Sequence, residues 1–152
     1  MHTNLRTLIS LLIFITLPCF GEDDPDAMMK AYFEDFNANV DAKKLVSRYW
    51  YSTVTLYTPD SVEFLSTPTD VARWYEGIQT SISDQGWVRS DKLESKLCRS
   101  GENTAIYGIR FNRIFDNGST SPGAATYILI YQGQWRIAGL IFTDPDKLIG
   151  CT

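Results

Sequence analysis

The chain has 152 residues, with 14 basic and 18 acidic side chains and a net charge of −4 at pH 7. Nucleic acids and anionic membranes attract basic surfaces at long range, so the acidic balance makes the chain a poor candidate for binding either, and we expect no nucleic-acid partner. The one histidine, His2, lies near the start of the chain. Histidine-dependent catalytic triads and zinc sites are therefore excluded from the rest of the chain, and we expect no metal and no cofactor.

Residues 1–21 predict a cleavable export signal. A basic, acid-free start leads into the apolar run 8–17, and the small residues Cys19 and Gly21 precede an acidic stretch. The run is too short to cross a bilayer, which takes about 20 residues. An uncut membrane anchor and a lipid-modified Cys19 are the alternatives. We expect a secreted or periplasmic protein, with no stable membrane insertion after signal cleavage, whose residues 22–152 form a single domain.

Two short helices are predicted next. In residues 27–37 the apolar side chains recur at helical spacing, and Asp26 is the expected cap of this helix. After the break at residues 37–39, Asp41 is expected to cap a second helix that runs through Trp50.

Residues typical of β-strands follow in the chain. Residues 53–58 are rich in β-branched and aromatic side chains and turn back through a predicted partner strand at 61–66. A third, longer helix is capped by Thr67 or Thr69 and extends to about Ser83. Four further strands are predicted at 87–99, 104–115, 124–132 and 134–143. Their short, glycine-containing links indicate an antiparallel meander. The order predicts an α+β, cone-shaped domain with helices packed on a curved antiparallel sheet.

This order resembles the nuclear transport factor-like superfamily, which includes SnoaL-like and ketosteroid-isomerase-like proteins with a cystatin-like fold. The resemblance covers about residues 26–143, and the stretches that carry it are 31–50, 54–60, 68–78 and 127–142. It implies a pocket between the sheet and the helices and a possible homodimer. It does not fix a function, because proteins with this fold have very diverse functions.

The isomerase branch of the superfamily uses a first-helix tyrosine and two acids. The tyrosine is matched by Tyr32, whereas the positions of the acids fall near Thr58 and Thr126. A hydroxyl cannot remove a carbon-bound proton near neutral pH, so the isomerase mechanism loses its base and we assign no catalytic residue. The alternative is a histidine-independent lyase or isomerase that uses Tyr32 and an unplaced acid.

Alternation along strand 104–115 predicts a better binding site, because Tyr107, Phe111 and Arg113 share one side. Arg113 could bind a carboxylate or phosphate at the mouth of a pocket, or its stem could simply cover the neighbouring phenylalanine rings. Other aromatic residues could line the same pocket or pack in the core: Tyr32, Trp50, Tyr57, Trp74, Tyr127 and Trp135. The sequence thus predicts an exported, noncatalytic domain that binds a small apolar or acidic ligand in an aromatic pocket, or a dimeric accessory module.

Two further features concern covalent chemistry. Cys98 and Cys151 could form a disulfide in an oxidising compartment or remain free thiols. The sequence Asn117-Gly118-Ser119 is a glycosylation sequon in a eukaryotic host, and it equally suits a plain hairpin turn.

Overall fold

The structure is a computed structural model that describes residues 24–36 and 39–148, so the predicted export signal and Cys151 lie outside the described residues. None of the described helices is long and apolar enough to cross a membrane. The elements are α1 (Pro25–Asp35), α2 (Ala42–Tyr49), β1 (Trp50–Tyr57), β2 (Val62–Leu65), α3 (Pro68–Ser83), β3 (Trp87–Arg99), β4 (Thr104–Phe115), β5 (Thr120–Tyr131) and β6 (Trp135–Thr143).

Side-chain caps fix where each helix begins. Asp24 accepts a hydrogen bond from the backbone N–H of Asp26 at 3.3 Å, so Asp24 rather than the predicted Asp26 caps α1. The predicted cap Asp41 is confirmed for α2, and of the two candidates for α3 it is Thr67 rather than Thr69 that caps the helix. In each, the side-chain oxygen accepts a backbone N–H three residues on, at 3.1 and 3.2 Å respectively.

The six strands form one sheet in the order β2-β1-β6-β5-β4-β3. The predicted β1–β2 pair and the meander of β3 to β6 are confirmed as antiparallel, and so is the α+β class. The sheet is nevertheless mixed, because β1 lies parallel to β6. The chain leaves β2 through α3 and the meander and returns to β1 only with its last strand. Such a long crossover is what parallel pairing requires.

The start of β5 also differs from the prediction. The strand begins at Thr120 rather than at residue 124, and it runs through Pro122. Proline lacks the N–H of a sheet ladder and is confined to edges. The β5–β6 pairing ends with Ala124 opposite Thr143, so the first four residues of β5 pair with β4 alone. Pro122 therefore lies on a locally free edge.

The helices cover one face of the sheet, and we call the other face the open face. Alternation places Leu56, which is 1% exposed, under the helices and Tyr57 on the open face. Tyr57, Val62 and Phe64 are exposed there by 37%, 54% and 73%. The covered face contributes to the core the side chains of Trp50, Val54, Leu56, Tyr107, Ile109, Tyr127, Leu129 and Ile137.

Asp35 joins the first two helices. Its carboxylate accepts hydrogen bonds from the Tyr49 hydroxyl at 2.6 Å and from the Arg48 guanidinium at 2.8 Å. Burial, and then the hydrogen bond to Asp35, raise the pKa of Tyr49 to about 12. The phenol therefore stays protonated and donates to Asp35 across the whole physiological pH range.

Arg136 joins β6 to the junction of α2 and β1. Its Nη1 donates to the carbonyl oxygens of Ser47 at 2.9 Å and Trp50 at 3.0 Å. The Ser47 carbonyl belongs to the last turn of α2, whose carbonyls lack partners within the helix. A cation at this end also complements the helix dipole.

Arg136→Met tests this link, because methionine keeps the apolar stem and removes the donors. We expect the free energy of unfolding to fall by about 1–3 kcal/mol as the carbonyls lose a charged donor. Urea unfolding followed by circular dichroism measures the change. The matched control is Arg73→Met, which removes an exposed 3.2 Å ion pair with Asp70 and should cost less than about 1 kcal/mol. Equal losses in the two variants would contradict the assignment.

Candidate functional site

A cavity of about 80 Å³ lies between α1, α3 and the covered face of the sheet. Its deep wall is closed by buried residues, whereas half-buried residues of α3, β3 and β4 form a mouth. Nine of its sixteen lining side chains are aromatic, which makes the wall apolar and stiff. The lining consists of Tyr32, Phe33, Phe36, Trp50, Trp74, Tyr75, Ile78, Ile82, Ser90, Phe111, Arg113, Ala124, Ala125, Tyr127, Leu140 and Phe142.

Edge-to-face contacts fix the orientation of these rings. The ring centroid of Tyr32 lies 5.1 Å from that of Phe33 and 5.8 Å from that of Tyr127. Trp50 and Trp74 meet at 5.7 Å with planes inclined by 62°. These separations are within the range in which aromatic pairs attract each other. The cavity wall is therefore preformed.

Gly123 positions one part of this wall. It lies opposite Phe111 in the β4–β5 ladder, and a Cβ atom there would come within 2.5 Å of the Phe111 ring. Since no real Cβ contact is that short, the ring of Phe111 occupies space that only glycine leaves free. The ring of Phe111 can therefore pack closely against the backbone of β5 beside the cavity.

Two buried polar atoms of the lining have no partner. The Nε1 of Trp50 and the hydroxyl of Tyr75 make no hydrogen bond to the described residues, although their side chains are only 2% and 3% exposed. Leaving such a donor unpaired costs about 1–3 kcal/mol. Native proteins contain few such groups, so two of them beside one cavity require an explanation.

The phenols of three lining tyrosines, Tyr75 among them, are close enough to influence one another's pKa. Burial raises the pKa of Tyr32, Tyr75 and Tyr127 well above the ordinary value, and the neighbouring phenols of the same group contribute to each shift. All three phenols are therefore protonated at neutral pH and can donate hydrogen bonds. None of the lining side chains is a carboxylate. The cavity offers hydrogen-bond donors but no general base.

The mouth contains one charged side chain, Arg113. Its guanidinium carbon lies 5.4 Å from the Phe111 ring centroid, which is a cation–π contact. Ser90 is directly opposite in the β3–β4 ladder. Arg113 therefore covers a phenylalanine ring and also lines the cavity, and its binding of a carboxylate or phosphate stays a prediction.

The structure brings most of the predicted ligand-binding residues together, namely Tyr32, Trp50, Trp74, Phe111, Arg113 and Tyr127. Tyr57 is not among them, since it lies on the open face. Tyr107 is fully buried on the covered face but outside the lining. Trp135 packs 5.5 Å from Tyr131, also away from the cavity.

Sequence reasoning missed Tyr75, Ser90 and Phe142. The helical stripe of α3 contains Tyr75 as well as Trp74, so periodicity offered a signal for Tyr75. Nothing in the sequence indicates that Ser90 faces Arg113. Thr126, the position matched to an acid of the isomerases, lies on the open face with its Oγ1 3.2 Å from that of Thr143.

Cys98 and Asn117 are the described residues for which covalent modification was predicted. Cys98 is disulfide-bonded, and its partner lies outside the described residues, so pairing with Cys151 stays a prediction. Asn117 accepts a hydrogen bond from the N–H of Ser119 at 2.8 Å, and Gly118 has a φ of +78°. This exposed loop is therefore a tight turn that needs glycine. Glycosylation of Asn117 stays a prediction.

The buried phenols predict alkaline instability. Burial raises the pKa of Tyr32, Tyr49, Tyr75, Tyr107 and Tyr127. A raised folded pKa contributes stability that is complete below the unfolded value of about 10 and is lost as pH rises through the folded value. Tyrosinate absorbance from these residues should therefore appear together with loss of the circular dichroism signal. Ionisation of all tyrosines in the still folded chain would contradict the prediction.

Comparison with known proteins gives the same fold. The yeast UBP3-associated protein BRE5 is 14% identical, with 83% of this chain and 94% of that chain covered and a TM-score of 0.59. An NTF2-like protein with a cystatin-like fold from Novosphingobium aromaticivorans is 13% identical, with 78% and 79% covered and a TM-score of 0.56. A candidate ketosteroid isomerase from Parabacteroides distasonis is 11% identical, with 80% and 87% covered and a TM-score of 0.53.

At these identities the similarity concerns the fold alone. No curated protein matches the sequence. The model of one family, the NTF2-like proteins (DUF6841), matches residues 23–145. The resemblance to the nuclear transport factor-like superfamily is thereby confirmed, and the chain belongs to the family of NTF2-like proteins (DUF6841).

Proposed function

We propose that this chain is an exported domain that binds a small, mostly apolar ligand carrying a hydrogen-bond acceptor in the aromatic cavity. The observation that carries the proposal is the pair of unpartnered donors, Trp50 Nε1 and the Tyr75 hydroxyl, buried beside a preformed cavity. A ligand oxygen that accepts from them removes the cost of their burial.

The cavity limits the size of the ligand. A volume of about 80 Å³ is larger than one water molecule needs and smaller than drug-sized pockets, which start at about 300 Å³. The enclosed part of the ligand is therefore on the scale of a single ring. Larger substituents have to extend through the mouth between α3 and β4.

The residues that line the cavity are better suited to ligand binding than to isomerase or lyase catalysis. Tyr32 is protonated and could stabilise an oxyanion, but proton abstraction also needs a base within hydrogen-bond reach. The lining residues are aromatic, aliphatic, one serine and one arginine. Neither the arginine nor a phenol whose pKa is raised supplies a base near neutral pH.

The disulfide at Cys98 supports export. Disulfides persist in oxidising compartments and are rare in the cytosol. Together with the signal predicted for residues 1–21, it favours a secreted or periplasmic location. A dimeric accessory module remains the second form of this proposal, with the exposed Val62 and Phe64 on the open face as its surface.

Two neutral probes test the binding site. Acetophenone carries a carbonyl acceptor and ethylbenzene has the same shape without an acceptor. We expect the protein to bind acetophenone about fivefold more tightly or better, because one hydrogen bond to a buried donor is worth about 1 kcal/mol or more. Isothermal titration calorimetry or ligand-observed NMR measures both affinities.

A blocked variant provides the control. Ile78 is half-buried on α3 and lines the mouth, so Ile78→Trp should abolish acetophenone binding. Thr80→Trp adds the same side chain to the exposed side of α3 and should bind like the unmodified protein. Thermal unfolding checks that both variants fold. The proposal is wrong if neither probe binds or if Ile78→Trp binds acetophenone as well as the unmodified protein does.

A further inference from the structure

Arg113 differs from every other arginine in the described part of the chain. Five others form ion pairs with carboxylates: Arg48, Arg73, Arg89, Arg99 and Arg110. Arg136 donates to two carbonyl groups. Arg113 makes no hydrogen bond and no ion pair with the described residues, although 18 acidic side chains outnumber 14 basic ones in the protein. Its charge is left uncompensated beside an apolar cavity.

The surroundings of Arg113 are equipped to hold an anion. Ser90 lies opposite, and its Oγ accepts the indole N–H of Trp87 at 3.1 Å, so its own proton is available to a ligand oxygen. The positive field of Arg113 reaches into the cavity, where it lowers the pKa of Tyr127 against the larger effect of burial. The polar side chains of the lining, which are those of tyrosine, tryptophan, serine and arginine, can all donate hydrogen bonds. The lining contains no carboxylate that would compete with an anionic ligand for these donors.

The planar guanidinium selects among anions. Its fork of N–H groups matches the two oxygens of a carboxylate in a bidentate pair. Phe111 lies directly under the guanidinium, and the enclosed volume next to it has the scale of one ring. A ring that sits among the aromatic side chains would therefore present an attached carboxylate to Arg113 and Ser90.

We propose that the ligand is a carboxylate attached to a single, mostly apolar ring, with the ring and its hydrogen-bond acceptor for Trp50 and Tyr75 inside the cavity and the carboxylate bound by Arg113 and Ser90 at its mouth. This inference rests on the proposed function, since it specifies the ligand of the same cavity. It adds the sign of the ligand's charge and the residue that recognises it.

Three probes of similar shape and different charge test the proposal: phenylacetate, phenylacetamide and phenethylammonium. Calorimetry with the unmodified protein should give an affinity for phenylacetate at least about tenfold above that for phenylacetamide, with phenethylammonium weakest. Arg113→Met keeps the stem over Phe111 and should remove the preference for the acid. Arg113→Lys keeps a charge without the fork and should retain part of the preference.

Arg110→Met is the matched control. Arg110 lies on the same strand with its side chain on the open face, where it pairs with Glu94 at 3.6 Å. It should retain the full preference for phenylacetate. Thermal unfolding confirms that all variants fold.

The outcomes separate this inference from the proposed function. Equal affinity for phenylacetate and phenylacetamide overturns the anion assignment, while acetophenone binding still supports the cavity as a binding site. A preference that persists in Arg113→Met overturns the role of Arg113. Failure of all three probes and of acetophenone overturns both proposals together.

Discussion

Tyr32 occupies the position on which the rest of the domain depends. Its ring lies 5.5 Å from Tyr49 of α2, 6.2 Å from Trp50 of β1 and 5.8 Å from Tyr127 of β5, each in an edge-to-face arrangement. One side chain thereby links the first helix to the second helix and to two strands. Large rigid rings at steep angles pack densely in pairs but do not fill all the space between them. The cavity follows from this geometry, because it lies where several such contacts meet.

Two of the described domain's four unpartnered buried polar atoms lie beside the cavity. Away from the cavity Thr126 is satisfied by Thr143 and Tyr49 by Asp35, whereas the Ser83 hydroxyl and the Tyr107 hydroxyl are buried without a partner among the described residues. Beside the cavity Trp50 and Tyr75 keep donors without partners. Proteins tend to accept such local violations at functional sites and offset them with packing elsewhere. The unpartnered donors and the preformed wall therefore both support the cavity as the candidate functional site.

The arginines also differ between the exposed surface and the cavity. Exposed arginines pair with carboxylates at distances such as 2.8 Å for Arg48 and Asp35, and these pairs contribute little because solvent screens them. Arg113 has a ring beneath it and a serine beside it, and its charge acts in a partly desolvated mouth where interactions are stronger. Arg113 can therefore contribute little to the stability of the fold and still contribute much to ligand recognition.

Local chemistry determined much of the fold from the sequence alone. Asp41 and Thr67 identified two helix starts because a cap interacts only with the next few residues. The glycine-containing links gave β3 and β4 their bounds for the same reason. The sequence could not determine the parallel β1–β6 pair or the strand that continues through Pro122, because both depend on which strand lies alongside.

The candidate site, too, was predictable from the sequence only in part. Residue type and spacing selected Tyr32, Trp50, Trp74, Phe111, Arg113 and Tyr127, which the structure gathers around one cavity. They also selected Tyr57, whose face of the sheet turned out to be open, and Tyr107, which lies on the covered face but outside the lining. Alternation tells which residues share a face, because that is a local property of a strand. Only the tertiary structure decides which face the helices cover and how far along each strand the cavity reaches, because those depend on packing between elements distant in sequence.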